Sequence, residues 1–146
     1  MTTDGAVDVK EVIHLGQALK AYSAMPRTVR ESFDKLITAI QNGKVVRKED
    51  KTDLKGKLAG ISELRFAFST DTYRTYYAAE FEEVIFILHA GSKKSHKDGE
   101  IPREEIASLV KKRKSAEEYY RLHRAELKAR FEVRRPNRAR QPKDVC

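Results

Sequence analysis

Cationic side chains that follow one another along a series of predicted strands are the residues of this sequence best suited to chemistry. They are Arg65, Arg74, His89, Lys93 and Lys94. Arginine holds phosphate oxygens bidentately. A lysine among other cations exchanges a proton near neutral pH, and a histidine does so without any perturbation. The group would therefore suit the cleavage of a phosphodiester.

Cleavage of RNA by its own 2′-hydroxyl needs a base for that hydroxyl, cations for the charge on the phosphate oxygens and an acid for the leaving 5′-oxygen. The group supplies all three functions, so neither a metal nor another cofactor is expected. Further basic residues are predicted to bind RNA near this face: Lys55, Lys57, Lys97 and Arg113.

Each of these residues also has a purely structural interpretation. The two arginines would then be solvated strand positions paired with Glu63 or Glu80, and His89 would be a structural histidine at a strand end. The lysine pair would belong to a solvated loop. The tyrosines of the central predicted strand would pack in the sheet rather than stack on bases; they are Tyr73, Tyr76 and Tyr77.

The elements that would position these residues follow from hydrophobic periodicity. We predict a first edge strand, two helices, a three-stranded antiparallel meander and a long helix that stops before Pro136. These elements cover residues 9–13, 15–25, 26–42, 61–68, 73–79, 84–90 and 101–135. Residues 44–51 are predicted to be a charged connector and residues 91–99 a lysine-rich loop. The order indicates an α+β domain with helices packed on one face of a small sheet.

Composition limits the class of protein. The chain has 146 residues and a net charge of +8, which favours an anionic partner such as nucleic acid or the ribosome. The only cysteine is Cys146, no signal core or membrane-spanning stretch is present, and we expect a cytoplasmic protein with no membrane partner. The sequence contains no P-loop, dinucleotide fingerprint, HExxH or GxSxG motif. Its four histidines lack metal-ligand spacing.

The basic charge is concentrated towards the end of the chain, where nine basic and three acidic residues follow Tyr120. We therefore divide the chain into a domain over residues 9–120 and a basic extension over residues 121–146. The extension is predicted to continue the last helix and to become disordered from Arg134 onward.

Six short motifs resemble, in order and spacing, the phage-related HigB-like toxins of the RelE/ParE superfamily. The similarity extends from about Val9 to Tyr120. The motifs are Leu54-Lys55-Gly56, Glu63-Leu64-Arg65, Tyr73-Arg74 with Tyr76-Tyr77, Ile87-Leu88-His89, Lys93-Lys94, and Ile101-Pro102 with Glu105-Ile106.

This resemblance implies a small RelE-like fold in which N-terminal helices pack on a curved antiparallel sheet. It implies an endoribonuclease that cleaves messenger RNA in the ribosomal A site, and a cognate antitoxin as partner. By position, Arg74 resembles the family arginine that contacts the scissile phosphate. The basic positions on the neighbouring strands correspond to Arg65, His89, and Lys93 or Lys94. RelE has two lysines where this chain has Glu63 and Arg65, so the general base stays open.

Two other functions compete with the ribonuclease. One is a non-enzymatic inhibitor of DNA gyrase, as ParE-like relatives are, because a shared fold does not decide function. The other is a homologue that has lost toxicity and binds nucleic acid through its basic tail. The inhibitor would not need the group of Arg65, Arg74 and Lys93. Deletion of residues 134–146 should abolish nucleic-acid binding by the detoxified homologue but only weaken RNA binding by the ribonuclease.

Overall fold

A computed structural model describes residues 9–93 and 101–134, with Lys93 described only in its backbone. Over these residues the chain forms five strands, two N-terminal helices, one 3₁₀ turn and one long helix. In order these are β1 (Glu11–His14), α1 (Ala18–Ser23), α2 (Arg27–Gln41), β2 (Lys51–Asp53), the 3₁₀ turn (Gly56–Leu58), β3 (Ser62–Phe68), β4 (Asp71–Ala78), β5 (Val84–Lys93) and α3 (Arg103–Val133).

The strands form a single sheet in the order β1-β5-β4-β3-β2. The predicted meander of β3, β4 and β5 is confirmed and antiparallel. The prediction of a purely antiparallel sheet is wrong, because β1 pairs in parallel with β5, Glu11 lying opposite Val84. Residues 44–51 are not only a connector, since Lys51 begins a short edge strand, and β5 extends into the predicted loop as far as Lys93.

Helices α1 and α2 cover one face of the sheet, where their apolar side chains meet Leu64, Tyr77 and Ile87. Helix α3 covers the opposite face and buries Leu109 and Ala116 against the sheet. Consecutive residues of a strand point to opposite faces, and β5 is apolar on both because helices cover the two faces of the sheet. The molecule therefore has three layers, and the expectation that all helices lie on one face is wrong. The predicted α+β class and long C-terminal helix are confirmed.

Helix α3 continues past the predicted domain limit at Tyr120, with a break in helical geometry at His123. Beyond this break Leu127 and Phe131 are buried. The guanidinium of Arg130 donates to both carboxylate oxygens of Glu11 at 2.9 and 3.1 Å, so the helix end is held against the edge strand β1. Apart from Arg134, the predicted disordered tail lies outside the described residues. No helix in the described ranges is both long and apolar enough to cross a membrane.

Candidate functional site

The candidate site lies on the sheet face that α3 covers, where two rows of side chains run across β3, β4 and β5. The first row consists of Glu63, Tyr76 and His89, which are direct cross-strand neighbours. The second row lies two residues away along each strand and consists of Arg65, Arg74 and Gly91. The pleat alternates side chains between faces, so two residues along each strand return to the same face. The register therefore brings together three of the residues predicted to be catalytic.

Glu63 joins the two arginines. One carboxylate oxygen accepts a hydrogen bond of 2.8 Å from Arg65 Nη1, and the other lies 3.5 Å from Arg74 Nε. The side chain of Glu63 is only 10% exposed, so little solvent screens these contacts. Two arginines directly opposite each other would repel, and the carboxylate between them offsets that repulsion. The pairing of the arginines with Glu63, which the structural interpretation of the sequence predicts, is thus present. The same pairing holds the two guanidiniums together in a compact cationic cluster.

Arg74 retains hydrogen-bonding capacity. Its Nη1 atom is buried and has no hydrogen-bond partner among the described residues, and its Nε atom is buried beside the Glu63 carboxylate at 3.5 Å. Its cross-strand neighbour on β5 is Gly91, and a Cβ atom built on Gly91 would meet none of the described residues within 4 Å. Buried donors without partners are costly unless a ligand or water satisfies them. The space at Gly91 lies directly across the strand pair from Arg74.

His89 lies between the sheet and α3. Its ring stacks on Tyr76 with 6.4 Å between ring centroids, and its Nδ1 lies 3.5 Å from the Lys112 ammonium. Burial, reinforced by the charges of Glu63 and Glu105, raises the pKa of the Tyr76 phenol. That hydroxyl therefore stays protonated and able to donate. The arrangement brings an imidazole, an ammonium and a phenol beside the two arginines.

A cavity of about 250 Å³ opens next to His89. It is formed between the strand end and the first turns of α3, and its lining includes Pro102, Ser108, Leu109 and Lys112. Glu105, whose side chain is buried, also borders it. A small group bound in this cavity would lie against His89.

The remaining predicted site residues do not join this cluster in the described structure. Lys55 and Lys57 are exposed at the 3₁₀ turn. Arg113 packs over Gly60 and pairs with Glu80 and Glu117, the latter at 2.6 Å. These ion pairs give Arg113 a structural role, and its RNA-binding role stays a prediction. The Lys93 side chain, Lys94 and Lys97 lie outside the described residues.

Three contributors to the site were not predicted as site residues. The sequence predicts Glu63 only as an ion-pair partner and Tyr76 as a packing residue, and it gives no role to Lys112. The strand register places Glu63 and Tyr76 beside the predicted group, and a two-residue shift from Arg65 and Arg74 would have revealed them. Lys112 depends on how α3 crosses the sheet, which no local pattern encodes. Among the described residues, no cluster of histidine, cysteine and acidic side chains has the form of a metal site.

Comparison with known proteins gives a family. Residues 20–115 match the family described as phage-derived Gp49-like proteins. No curated protein is similar enough in sequence to count as a relative of this chain.

Two solved structures are similar to part of this chain. The Mycobacterium tuberculosis toxin–antitoxin complex RelBE2 contains a chain with 16% identity and a TM-score of 0.44, and the similarity covers 58% of this chain and 99% of that one. A mutant of the Escherichia coli toxin RelE in the free state has 19% identity and a TM-score of 0.48, covering 72% and 97% of the two chains.

Proposed function

The chain belongs to the Gp49-like family of phage-derived proteins, a RelE-like toxin family, and from this membership and the site geometry we propose that it is the toxin of a toxin–antitoxin pair. The superfamily predicted from the sequence is thereby confirmed. We further propose that the toxin is a HigB-type endoribonuclease, which cleaves messenger RNA in the ribosomal A site and is neutralised by a cognate antitoxin.

The observation that carries the enzymatic proposal is the Arg74 guanidinium, whose buried Nη1 atom has no hydrogen-bond partner among the described residues and whose cross-strand neighbour on β5 is Gly91, beside open space. A scissile phosphate bound there would accept the hydrogen bond that this donor lacks once the guanidinium turns toward the opening. Arg65 adds a second guanidinium to the same cluster through Glu63. Both guanidiniums would attract the phosphate more strongly in the transition state, where its oxygens carry more negative charge.

The proposed reaction requires no group that the chain lacks. The RNA 2′-oxygen attacks the neighbouring phosphorus and gives up its proton, the bond to the 5′-oxygen breaks, and that oxygen takes a proton. The products are a 2′,3′-cyclic phosphate and a 5′-hydroxyl. His89, beside the cationic cluster, is the proposed proton-transfer residue. Glu63 is a positioning residue, since it holds the two arginines rather than the substrate.

The test is ribosome-dependent cleavage of a translated messenger RNA, with 5′ ends mapped for the wild type and for Arg74→Ala and Arg74→Lys. We expect Arg74→Ala to lower the cleavage rate by roughly 10² to 10³, the usual cost of losing one donor to a developing negative charge. Arg74→Lys should recover only part of the rate, because lysine lacks the bidentate fork. The control is Arg27→Ala, which removes an exposed cation of α2 that pairs with Glu31.

Two outcomes would contradict the ribonuclease. Growth arrest on expression without RNA cuts would favour the gyrase inhibitor. Absence of both arrest and cleavage would favour a homologue that binds nucleic acid without toxicity.

A further inference from the structure

The cavity between the end of β5 and the first turns of α3 contains polar groups that the proposed reaction does not use. Its volume is about 250 Å³, which is smaller than the roughly 300 to 1,000 Å³ of sites for drug-sized ligands, so it suits a single ring system. We call it the His89 cavity. Its apolar lining includes Pro102 and Leu109, and its polar lining includes Glu105, Ser108 and Lys112.

Glu105 is out of place in the packing of α3. It belongs to the buried stripe of the helix together with Leu109 and Ala116, whereas the other glutamates of α3 are exposed. Only 7% of Glu105 is exposed. A position on the core-facing stripe is expected to be apolar, because a carboxylate is costly to bury. Departures of this kind concentrate at functional sites, and this one lies on the wall of a cavity.

Helical spacing places an acceptor and a donor along the same wall. Glu105, Ser108 and Lys112 follow one another at intervals of three and four residues, so they share one face of α3. The Lys112 ammonium lies 3.5 Å from Nδ1 of His89, which keeps it beside the sheet. The His89 cavity therefore offers a carboxylate, a hydroxyl and an ammonium to one ligand, with an imidazole ring in its lining.

Among the bases of RNA, guanine complements this set of groups. Its N1–H and its N2 amino group are two adjacent donors that a carboxylate accepts together, and its O6 and N7 atoms are acceptors for a lysine. Adenine would turn its N1 acceptor towards the carboxylate, and the pyrimidines have neither two adjacent donors nor an N7 atom. The apolar walls suit the faces of a flat base, and a histidine ring is a common stacking surface for single-stranded RNA.

The His89 cavity lies within the reach of one nucleotide from the arginine cluster. Tyr76 is the cross-strand neighbour of His89, and Arg74 precedes it on β4 by two residues, which is a distance of about 7 Å along the strand. A sugar separates the base of a nucleotide from its phosphates, so a nucleotide can span such a distance.

We propose that the His89 cavity binds a guanine base, with Glu105 accepting from N1–H and the N2 amino group and Lys112 donating to O6 and N7. We further propose that this guanine belongs to an RNA nucleotide next to the cleaved phosphate. The second part rests on the proposed function and gives it a sequence preference; the first part does not rest on it.

The binding experiment uses the full-length chain and a fluorescein-labelled tetrathymidylate in which the third thymine is replaced by guanine. The probe is DNA and lacks the 2′-hydroxyl, so it cannot be cleaved. Matched probes carry adenine, hypoxanthine, which lacks the N2 amino group, or 7-deazaguanine, which lacks N7. All four probes have the same backbone charge, and affinities are measured by fluorescence anisotropy.

The wild type should bind the guanine probe roughly ten- to a hundredfold more tightly than the adenine probe, the usual discrimination by one bidentate contact. The hypoxanthine and 7-deazaguanine probes should have intermediate affinities, because each lacks one of the proposed hydrogen bonds. These comparisons use only the wild type, so they do not depend on how any variant folds.

Glu105→Gln should turn the preference from guanine to adenine, because an amide donates to adenine N1 and accepts from its N6 amino group. The control for this variant is Glu118→Gln, which makes the same change in charge at an exposed glutamate that pairs with Arg121. It should keep the preference for guanine.

Lys112→Met should weaken binding of the guanine probe and remove the difference between guanine and 7-deazaguanine. Its matched control is Lys111→Met, which removes the adjacent cation of α3 outside the His89 cavity. Both variants lose one positive charge, so a general effect on phosphate binding is the same in the two. Only Lys112→Met should change the base preference.

The inference is supported if the wild type prefers guanine, if both analogues bind less tightly than guanine and if Glu105→Gln prefers adenine. It is overturned if the four probes bind the wild type equally, or if the preference for guanine persists unchanged in both Glu105→Gln and Lys112→Met.

Mapping of cut sites in a translated messenger RNA tests the second part. The wild type should cut at a fixed position beside a guanine, and Glu105→Gln beside an adenine. If the wild type does not cleave but prefers the guanine probe, the ribonuclease proposal fails and the guanine site stands. If it cleaves and the four probes bind equally, only the guanine site fails. Guanine binding together with cuts that ignore the neighbouring base would overturn the second part and assign the His89 cavity to a free guanine nucleotide.

Discussion

A single buried carboxylate organises the cationic cluster. Glu63 lies on β3 between Arg65 and Arg74, at 2.8 and 3.5 Å from their nearest nitrogens. The presence of cations on the meander follows from the sequence, because alternation along β3 and β4 assigns each residue to a face. The side-by-side placement of the two arginines depends on the register between strands, which alternation alone does not give.

Replacement of Glu63 by glutamine tests this organisation. Glu63→Gln should lower the free energy of unfolding by about 2 kcal/mol, because two partly buried guanidiniums lose their shared anion. It should also slow RNA cleavage and shift its pH profile, which an effect on stability alone would not do. Urea unfolding and pH–rate curves measure the two effects.

The control for this variant is Glu80→Gln. Glu80 is half exposed and pairs with Arg113, so its loss should cost less than about 1 kcal/mol, the usual range for exposed pairs. Unchanged cleavage and pH profile in Glu63→Gln would contradict the positioning role.

Gly60 is the position where the backbone itself limits substitution. Its φ is +91°, and an added Cβ would lie 2.6 Å from two nitrogens of the Arg113 guanidinium. Gly60→Ala should therefore destabilise the fold by about 1 to 3 kcal/mol, through strain and through displacement of Arg113 from its glutamates. The matched control is Gly16→Ala, where φ is +53° and the space is open. Equal midpoints of thermal unfolding for the two variants would show that the Arg113 contact is unimportant.

At the scale of elements, local pairings could be predicted from the sequence and distant ones could not. The strands β3, β4 and β5 are joined by short turns and alternate clearly, so the meander is predictable. The parallel pairing of Glu11 with Val84 joins residues far apart in the chain, and β2 has only three residues. The face of the sheet on which α3 packs could not be predicted either, because the apolar side chains of α3 could pack against either face of an apolar sheet.

The junction of β1 with α1 and α2 contains a group whose protonation opposes folding. Burial lowers the pKa of His14, and the nearby Asp34 carboxylate only partly opposes this effect. The ring packs edge-to-face on Tyr22, with 5.5 Å between centroids. The folded state therefore binds the proton more weakly than the unfolded chain, and unfolding takes up protons. The stability of the fold consequently falls as the pH decreases below 6.5, the ordinary pKa of histidine.

This linkage predicts a difference between the wild type and His14→Phe, which keeps an aromatic ring at this position and removes the titration. The wild type should lose more unfolding free energy between pH 7.5 and pH 5 than the variant does. Urea unfolding at both values measures the difference. Parallel losses in the two proteins would mean that His14 does not contribute to the pH dependence.

At the scale of the whole molecule, the predicted division at Tyr120 separates charge but cuts through a packed helix. Leu127 and Phe131 are buried, and Arg130 and Arg134 reach Glu11 on the first strand. The part of the extension up to Arg134 therefore contributes to the core of the domain. The part after it carries four further basic residues in the sequence.

Two truncations separate these contributions. A chain that ends at Tyr120 loses the buried side chains of Leu127 and Phe131, each worth roughly 1.5 to 3 kcal/mol. It also loses the ion pairs of Arg130 and Arg134 with Glu11. The summed loss is comparable to the whole free energy of unfolding of a small domain. It should be largely unfolded by circular dichroism and thermal melting. A chain that ends at Arg134 should keep the fold and cleave RNA at the same positions. Its affinity for RNA should fall, and its salt dependence should decrease by up to about 0.7 per basic residue removed. If the chain ending at Tyr120 melts like the full-length protein, the helix end is a dispensable extension and the packing around Phe131 does not stabilise the domain.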